Sequence, residues 1–201
     1  MSGQSGQKWV VGITGASGAI YGVRVVQELL KAGHLVHLMV TEAGWQVFRD
    51  ELDWQTDDRE ALLQEHMQQD FPGKLYYWGL RDFNCPAASG SYRCDGMIVV
   101  PCSMGTLSGL AHGASGNLLE RVADVMIKEG RRLVLVPRET PLNAIHLENM
   151  LKLSRLGVRI MPAMPGYYQK PQTMEDLINF VVGKALDALD VPHSLFRRWG
   201  E

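Results

Sequence analysis

A regular alternation of short apolar runs with stretches of helical periodicity constrains this chain more than any other feature. The first apolar run begins at Lys8 and stops at Gly15, and apolar residues then recur at helical spacing as far as Leu30. Gly33 follows where a C-capping glycine would stand, and a second apolar, β-branched run ends at Thr41. These elements predict one βαβ unit.

The pattern continues along the rest of the chain. Further apolar runs predict strands at 74–78, 96–101, 131–137 and 158–162. Helical patterns occupy 42–51, 57–70, 117–130, 143–155 and 173–189. Apolar strands that alternate with helices are typical of a parallel sheet buried on both faces. The sequence therefore predicts a three-layer α/β/α sandwich with a doubly wound, mainly parallel sheet of the Rossmann or flavodoxin type, whose ligands bind beyond the carboxyl ends of the strands.

Length, composition and charge narrow the class of protein. The chain has 201 residues, 46% of them hydrophobic and 21% charged, which fits one globular domain over residues 8–201. Residues 1–7 are small and polar, so we expect a disordered tail there. The 20 basic residues against 22 acidic ones give a net charge of −2, which disfavours binding to nucleic acid.

Targeting and cysteine patterns point to the cytoplasm. No apolar stretch approaches the roughly 18 residues of a membrane span, and the first residues lack the pattern of a signal peptide. The three cysteines have no metal-ligand spacing, which favours a reducing compartment and predicts neither a zinc site nor a disulfide framework. We expect a cytoplasmic protein with no membrane span and no metal.

The turn after the first strand, residues 15–19, is a candidate anion site. Its backbone N–H groups and the following helix dipole could hold an anion, and Ser17 adds a hydroxyl. The glycines at 12, 15 and 18 depart from the dinucleotide spacing, and the second strand ends in Thr41 rather than an acid, although Glu42 follows. An NAD dehydrogenase is disfavoured, and a purely structural tight turn remains an alternative.

A second loop of the same kind follows another predicted strand. Residues 103–106 come after a buried run and precede a helix start, so two anion-receiving loops would lie side by side as a mononucleotide cradle. Cys102 has no evident histidine partner in the sequence, which favours an inert buried thiol over a nucleophile.

A third strand end brings opposite charges to the same edge. Arg138 suits a ligand phosphate or a flavin carbonyl, and Glu139 suits proton transfer. A surface ion pair between the two is the structural alternative. His146 lies in a helical stretch, where a histidine is more often a packing residue than a catalyst.

Several segments together resemble the UbiX-type flavin prenyltransferases. They are TGASGAIYG at 14–22, PCSMGTLSG at 101–109, the run from ERVADVMIKEG to KLSRLG at 120–157, PGYYQKPQ at 165–172 and the terminal RWGE. The resemblance covers nearly all of the chain after residue 7. Such enzymes use dimethylallyl monophosphate to prenylate reduced FMN at N5 and C6, which makes the cofactor of UbiD-type decarboxylases.

The resemblance also implies roles for individual residues. Flavin contacts fall on Gly15, Ala16, Ser17, Thr41, Ser103, Met104, Gly105, Thr106 and Arg138. Prenyl-phosphate residues fall on Arg121, Lys128, Glu139, Tyr168 and Lys184, and Ser17, Glu51, Lys128 and Glu139 are the catalytic candidates. Lys184 stands where an arginine is common, so it keeps the charge without a bidentate grip. Aromatic faces at Tyr168, Phe83 and Trp199 could stabilise an allylic cation, or could serve only in packing.

The family resemblance extends to assembly and leaves rival functions to be tested. It implies a dodecamer with the flavin site at subunit contacts, where Met104, Leu107 and Leu110 could serve unless they belong to the core. Flavin-dependent cysteine decarboxylases are the nearest alternative, but their PxMNxxMW segment is replaced here by PAMPG at 162–166. Direct decarboxylation of aromatic acids and a non-catalytic flavin carrier are the others. Both ubiquinone synthesis and aromatic acid breakdown fit as pathways.

Overall fold

The structure, a computed structural model, describes residues 6–198 and Gly200. Its strands are β1 (Lys8–Ile13), β2 (Leu35–Val40), β3 (Lys74–Trp78), β4 (Gly96–Cys102), β5 (Leu133–Pro137) and β6 (Arg159–Ile160). Its α-helices are α1 (Ala19–Lys31), α2 (Glu42–Leu52), α3 (Arg59–Leu63), α4 (Met104–Ala111), α5 (Leu118–Lys128), α6 (Ala144–Arg155) and α7 (Met174–Leu189). None of these helices is both long and apolar enough to cross a membrane.

The six strands form one parallel sheet in the order β3-β2-β1-β4-β5-β6. The chain builds outward from β1 in one direction and, after crossing back to β4, in the other. The loops after β1 and β4 therefore diverge and leave a crevice at the carboxyl ends of these central strands. The predicted doubly wound α/β fold is confirmed. We call this side of the sheet the carboxyl edge and the opposite side the amino edge.

Alternate side chains of each central strand enter two separate cores. In β1, Trp9 and Val11 pack into the core beneath α1, α2 and α7, while Val10 packs on the other face with α4 and α5. Ile98 and Met97 of β4 divide in the same way. Burying a large apolar side chain contributes roughly 1.5–3 kcal/mol, so both faces of the sheet require a helical layer.

Three predicted elements differ in detail from the sequence pattern. The helix expected at 57–70 is the short α3 followed by a π-helical turn, Gln64–Gln68. The last strand is only two residues long. Helix α4 is an element of its own, in which the side chains of Met104, Leu107 and Leu110 are buried in the core of the single chain. At the start of the chain, the Gln7 carbonyl accepts a hydrogen bond from the Leu35 N–H (2.9 Å) and prolongs the ladder.

The segment between β3 and β4, residues 79–95, is fastened to the sheet by a buried histidine. Trp78 Nε1–H donates to His37 Nδ1 (2.9 Å), which leaves the His37 Nε2–H to donate to the Tyr92 hydroxyl (2.9 Å). Arg131, which follows α5, donates from its guanidinium to the carbonyls of Tyr92 (2.7 Å) and Gly90 (2.6 Å). We call residues 79–95 the α5 loop, because the 3-10 turn Pro86–Ala88 within it packs on α5.

Candidate functional site

Thr14 joins the two central loops at the carboxyl edge. Its side chain is 1% exposed, and its hydroxyl donates to the Pro101 carbonyl (2.9 Å) and accepts from the Ser103 N–H (2.7 Å). A polar residue at the end of an apolar strand was the only sequence signal for this role. The Thr14 N–H donates to the same Pro101 carbonyl (3.2 Å), so the backbone and the hydroxyl of this residue together hold the loops that follow β1 and β4.

The β1 loop presents backbone donors to the crevice. Within residues 6–198, the N–H groups of residues 15–17 donate no hydrogen bond to the protein. Gly15 is required there, because a Cβ at this position would stand 2.3 Å from the Ala43 Cβ. These open donors are the arrangement that an anionic ligand needs.

Glu51 already occupies the N-terminus of α1. Its carboxylate accepts hydrogen bonds from the N–H groups of Gly18 (2.9 Å) and Ala19 (3.0 Å). Gly18 has a φ of 101°, a conformation that glycine adopts without strain. Burial raises the pKa of the neighbouring Tyr21 phenol, and the charges of Glu51 and Tyr167 act in the same direction. A ligand anion at this loop would therefore meet the donors of residues 15–17, not the first turn of α1.

The β4 loop repeats the arrangement without an internal carboxylate. Ser103 caps α4, with its Oγ accepting from the Thr106 N–H (3.3 Å) and donating to the Thr106 hydroxyl (3.1 Å). The N–H groups of Met104 and Gly105 have no protein acceptor within residues 6–198. Nothing lies within 4 Å of the position that a Gly105 Cβ would take, so a ligand can approach the backbone there.

The loops after β2 and β5 complete the edge. Thr41 caps α2 by accepting from the Gly44 N–H (3.0 Å). The Arg138 N–H donates to the Cys102 carbonyl (3.4 Å), and both Arg138 and Glu139 are exposed. No ion pair joins Arg138 to Glu139 in the part of the chain that the structure describes, so their charges are available to a ligand.

Two further candidates from the sequence have structural positions. Burial raises the pKa of the Cys102 thiol to about 12, so the thiolate is not accessible near neutral pH. Asn143 caps α6 by accepting from the His146 N–H (2.9 Å), and the His146 Nδ1 accepts from the Asn143 N–H in return (3.4 Å). Among the described residues, no group of histidines, cysteines or carboxylates is arranged to hold a metal ion.

The prenyl-phosphate candidates on α5 do not meet Glu139 within one chain. Lys128 ends α5 close to the start of β5, at the amino edge, where it pairs with Glu129. Glu139 follows the other end of β5, five strand residues away, or about 16 Å of extended chain. Arg121 lies two turns before Lys128, bonded to the Ala88 carbonyl (3.2 Å) and Asp124 (3.2 Å).

The remaining candidates among the described residues lie on α7, in the loop before α7 and in the loop between β3 and β4. Lys184 is on α7, in the opposite helical layer from α5, with its Nζ 3.7 Å from Asp187. Tyr168 lies in the loop before α7, is 54% exposed and packs its ring edge against Phe180. Phe83 is 51% exposed in the α5 loop. Trp199 lies outside the described residues. A cavity of about 560 Å³ beside α7 is lined by residues such as Gly166, Phe180 and His193, and none of its lining residues belongs to the loops after β1, β2, β4 or β5.

Comparison with known proteins gives one family. The Flavoprotein family model matches residues 2–186. A protein of Halalkalibacterium halodurans named flavin prenyltransferase UbiX is 66% identical over 193 residues, which cover 96% of this chain and 93% of that protein.

Two solved structures agree with this similarity. The crystal structure of AnUbiX (PadA1) in complex with FMN and dimethylallyl pyrophosphate has a TM-score of 0.87 and 41% identity, and covers 98% of both chains. A dodecameric FMN-dependent UbiX-like decarboxylase from Escherichia coli O157:H7 has a TM-score of 0.85 and 42% identity, and covers 97% of this chain and 100% of that one. The chain therefore belongs to the flavoprotein family and, within it, to the UbiX flavin prenyltransferases.

Proposed function

We propose that this chain transfers the dimethylallyl group of dimethylallyl monophosphate to reduced FMN and releases phosphate. The observation that carries the proposal is the pair of loops after β1 and β4. Their open N–H groups, at residues 15–17 and 104–105, lie at one edge and are held together by Thr14. When bound, reduced FMN supplies the nucleophilic atoms N5 and C6 to the allyl group. The flavin contacts would be the nine residues that the family resemblance assigns to this edge.

The residues at the carboxyl edge fit a flavin mononucleotide. Open backbone donors and the Ser103 cap of α4 suit a phosphate or a ring carbonyl, and the Arg138 guanidinium adds a positive charge. The open space at Gly105 allows the close approach that a planar ring system needs. Glu51 stands beside Ser17 through its bonds to Gly18, which supports a role for both near the reacting atoms.

Charge on the leaving phosphate can be neutralised by side chains alone. Arg121, Lys128 and Lys184 would hold the phosphate oxygens, and Glu139 would exchange a proton with one of them. A monophosphate carries fewer charges than a diphosphate and so needs less neutralisation. The rings of Tyr168 and Phe83 would face the allylic carbon, where each can stabilise positive charge by about 0.5–2 kcal/mol.

We further propose that neighbouring subunits complete each site in an oligomer, as a dodecamer. Support comes from the separation within one chain: Lys128 lies at the amino edge, Glu139 at the carboxyl edge, and Lys184 on the opposite helical layer. Contact between copies would also cover apolar side chains of α6 that are more than half exposed, such as Ile145 and Leu147.

A product assay tests the transfer. The protein is incubated without oxygen with FMN, a reductant and either dimethylallyl monophosphate or the diphosphate, and the flavin mass is then measured. We expect a mass increase of one dimethylallyl unit with the monophosphate. Unmodified FMN in both arms overturns the proposal, and carbon dioxide release from an aromatic acid in the absence of any second protein supports the decarboxylase alternative instead.

Mixing two inactive variants tests the shared site. We expect Lys128→Ala and Glu139→Gln each to disable every site when the oligomer contains that variant alone. If the two residues of one site come from different subunits, unfolding and refolding a mixture regenerates some sites that carry neither change. We expect activity to return in the mixture, and a mixture that stays inactive while assembling normally contradicts subunit sharing.

The product would pass to a UbiD-type decarboxylase as its cofactor. We place the reaction in the cytoplasm, which the three unpaired cysteines support. We therefore expect that the purified protein, incubated with reduced FMN and dimethylallyl monophosphate, restores activity to a UbiD-type apoenzyme.

A further inference from the structure

Asp187, in the last turn of α7, lies close to basic side chains of α7 itself and of the segment that follows it. Its Oδ1 accepts from Arg198 (2.8 Å) and from His193 Nε2 (3.1 Å), and its Oδ2 faces the other Arg198 nitrogen (3.4 Å). Lys184 Nζ is more distant, at 3.7 Å. Burial raises the pKa of Asp187, but the hydrogen bonds from Arg198 and His193 outweigh burial and hold that pKa below its usual value. The residue is a charged anchor for the segment after α7.

His193 fixes that segment with both ring nitrogens. Its side chain is 2% exposed, and its Nδ1 accepts the Leu195 N–H (3.2 Å), so the proton on Nε2 points to Asp187. Residues 193–198, which we call the C-terminal strap, are thereby tied to α7 through one carboxylate.

The C-terminal strap continues to Tyr168 through aromatic contacts. His193 packs against Phe196 (5.1 Å between ring centroids), Phe196 against Phe180 (5.4 Å) and Phe180 against Tyr168 (5.8 Å). A Cβ on Gly183 would stand 2.4 Å from the Phe196 ring, so the glycine makes room for the strap.

A second connection joins the strap to the loop of Tyr168. The Gln169 side-chain amide donates to the Arg197 carbonyl (2.6 Å). The strap thus touches both α7, which carries Lys184, and the loop before α7, which carries Tyr168.

We propose that Asp187 is a positioning residue for the prenyl phosphate: by fixing the C-terminal strap it sets where Tyr168 and Lys184 stand. The inference rests on the proposed function, in which these two residues contact the phosphate. Asp187 acts through them and touches neither substrate.

Steady-state kinetics of Asp187→Asn provide the test. The amide keeps the volume of the carboxylate but loses its charge and its hold on Arg198. With saturating FMN, we expect the KM for dimethylallyl monophosphate to rise about tenfold, with kcat and the FMN Kd changed less than about twofold. Releasing Lys184 from its carboxylate would, by itself, favour phosphate binding and lower the KM. The sign of the change therefore separates positioning from simple charge release.

Asp190→Asn is the matched control. Asp190 lies three residues further on and pairs with Arg132 at the amino edge instead of with the strap. We expect its KM and kcat to match those of the wild type. Asp187→Glu retains the charge and should recover part of the loss.

Two further results decide against the inference. A KM that is unchanged or lower in Asp187→Asn overturns it, and so does a parallel loss of FMN binding. If Asp187→Asn does not fold, Phe196→Leu loosens the strap without removing a charge, and an unchanged KM in that variant is equally decisive. A wild type that makes no prenylated flavin would instead refute the proposed function, so the two failures are distinct.

Discussion

The residues of the carboxyl edge and most of the prenyl-phosphate residues differ in the kind of element that carries them. Residues of the edge follow neighbouring strands of one parallel sheet, so the fold itself brings them together. Apart from Glu139, which follows β5, the candidates for the phosphate lie on α5, on α7 and in two loops, with α5 and α7 in opposite helical layers. A ligand site at a sheet edge can be complete in one chain, whereas the proposed phosphate site would be completed by neighbouring subunits.

The two regions also differ in what their side chains do without ligand. At the edge, Thr14, Thr41 and Ser103 make hydrogen bonds that hold loops and helix ends, so folding and the proposed flavin binding would depend on the same groups. Within the described residues, the ion pairs of the phosphate candidates Arg121 and Lys128 are to carboxylates close by in sequence, Asp124 and Glu129. Such exposed pairs stabilise a protein by about 0–1 kcal/mol, so exchanging the carboxylate for a phosphate oxygen costs little.

Glu139→Gln should give the largest effect, a loss of turnover, because Glu139 is the proposed proton-exchanging group. The same change tests whether flavin binding and catalysis depend on separate residues. Gln keeps the size of the side chain but cannot exchange a proton with the phosphate. We expect turnover to fall by about 10²–10³-fold, while FMN binds as in the wild type, since the edge donors are intact. Initial rates of flavin prenylation and titration with FMN measure the two quantities.

Glu148→Gln is the control for this change, because Glu148 is an exposed carboxylate on the nearby helix α6. It should leave both turnover and FMN affinity unchanged. Wild-type turnover in Glu139→Gln would remove Glu139 from the proton exchange.

The sheet and the loops at its carboxyl edge were predictable because β1 to β5 are mostly apolar runs that stop at a glycine, hydroxyl or charged residue. Parallel strands share an edge, so residues after different strands had to meet there. Glu51 shows the limit of such reasoning. It caps α1 from 32 to 33 residues away, and no local pattern encodes that contact. The positions of Lys128 and Lys184 relative to Glu139 escaped prediction for a related reason: a residue's expected role does not reveal which helical layer or sheet edge the fold gives it.

Acid should destabilise the α5 loop more than the carboxyl edge. This loop carries Phe83 and holds Arg121 through the Ala88 carbonyl, and it is fastened by the titratable His37, whereas hydroxyls fasten the edge. Burial and, to a smaller extent, the charge of Lys8 lower the pKa of His37 from 6.5 to about 4.

Stability should fall as the pH is lowered, because His37 binds a proton more readily in the unfolded state than in the folded state. Stabilisation by neutral His37 is complete above pH 6.5 and is lost as the pH falls towards 4. Because the side chain is 3% exposed, we expect a loss of up to about 3 kcal/mol in the free energy of unfolding. Urea unfolding at a series of pH values measures it. His37→Gln, which retains one donor and one acceptor, should flatten the dependence, and an equal slope in both proteins would assign it to other groups.

Thr14→Val should lower the free energy of unfolding by a smaller amount, through the loops of the carboxyl edge. It should leave the prenyl-phosphate residues on α5 and α7 unaffected. Valine has nearly the same shape but removes the hydroxyl, which leaves the Ser103 N–H without its acceptor in a largely buried place. The Pro101 carbonyl loses the hydroxyl donor and keeps only the Thr14 N–H (3.2 Å). A lost pair of this kind costs about 1–3 kcal/mol. We expect that loss in urea unfolding, together with weaker FMN binding, because the loops after β1 and β4 are no longer held at a fixed spacing. Thr14→Ser keeps the hydroxyl and should retain FMN affinity; if it and Thr14→Val weaken FMN equally, the methyl packing and not the hydrogen bonds sets the spacing of the crevice.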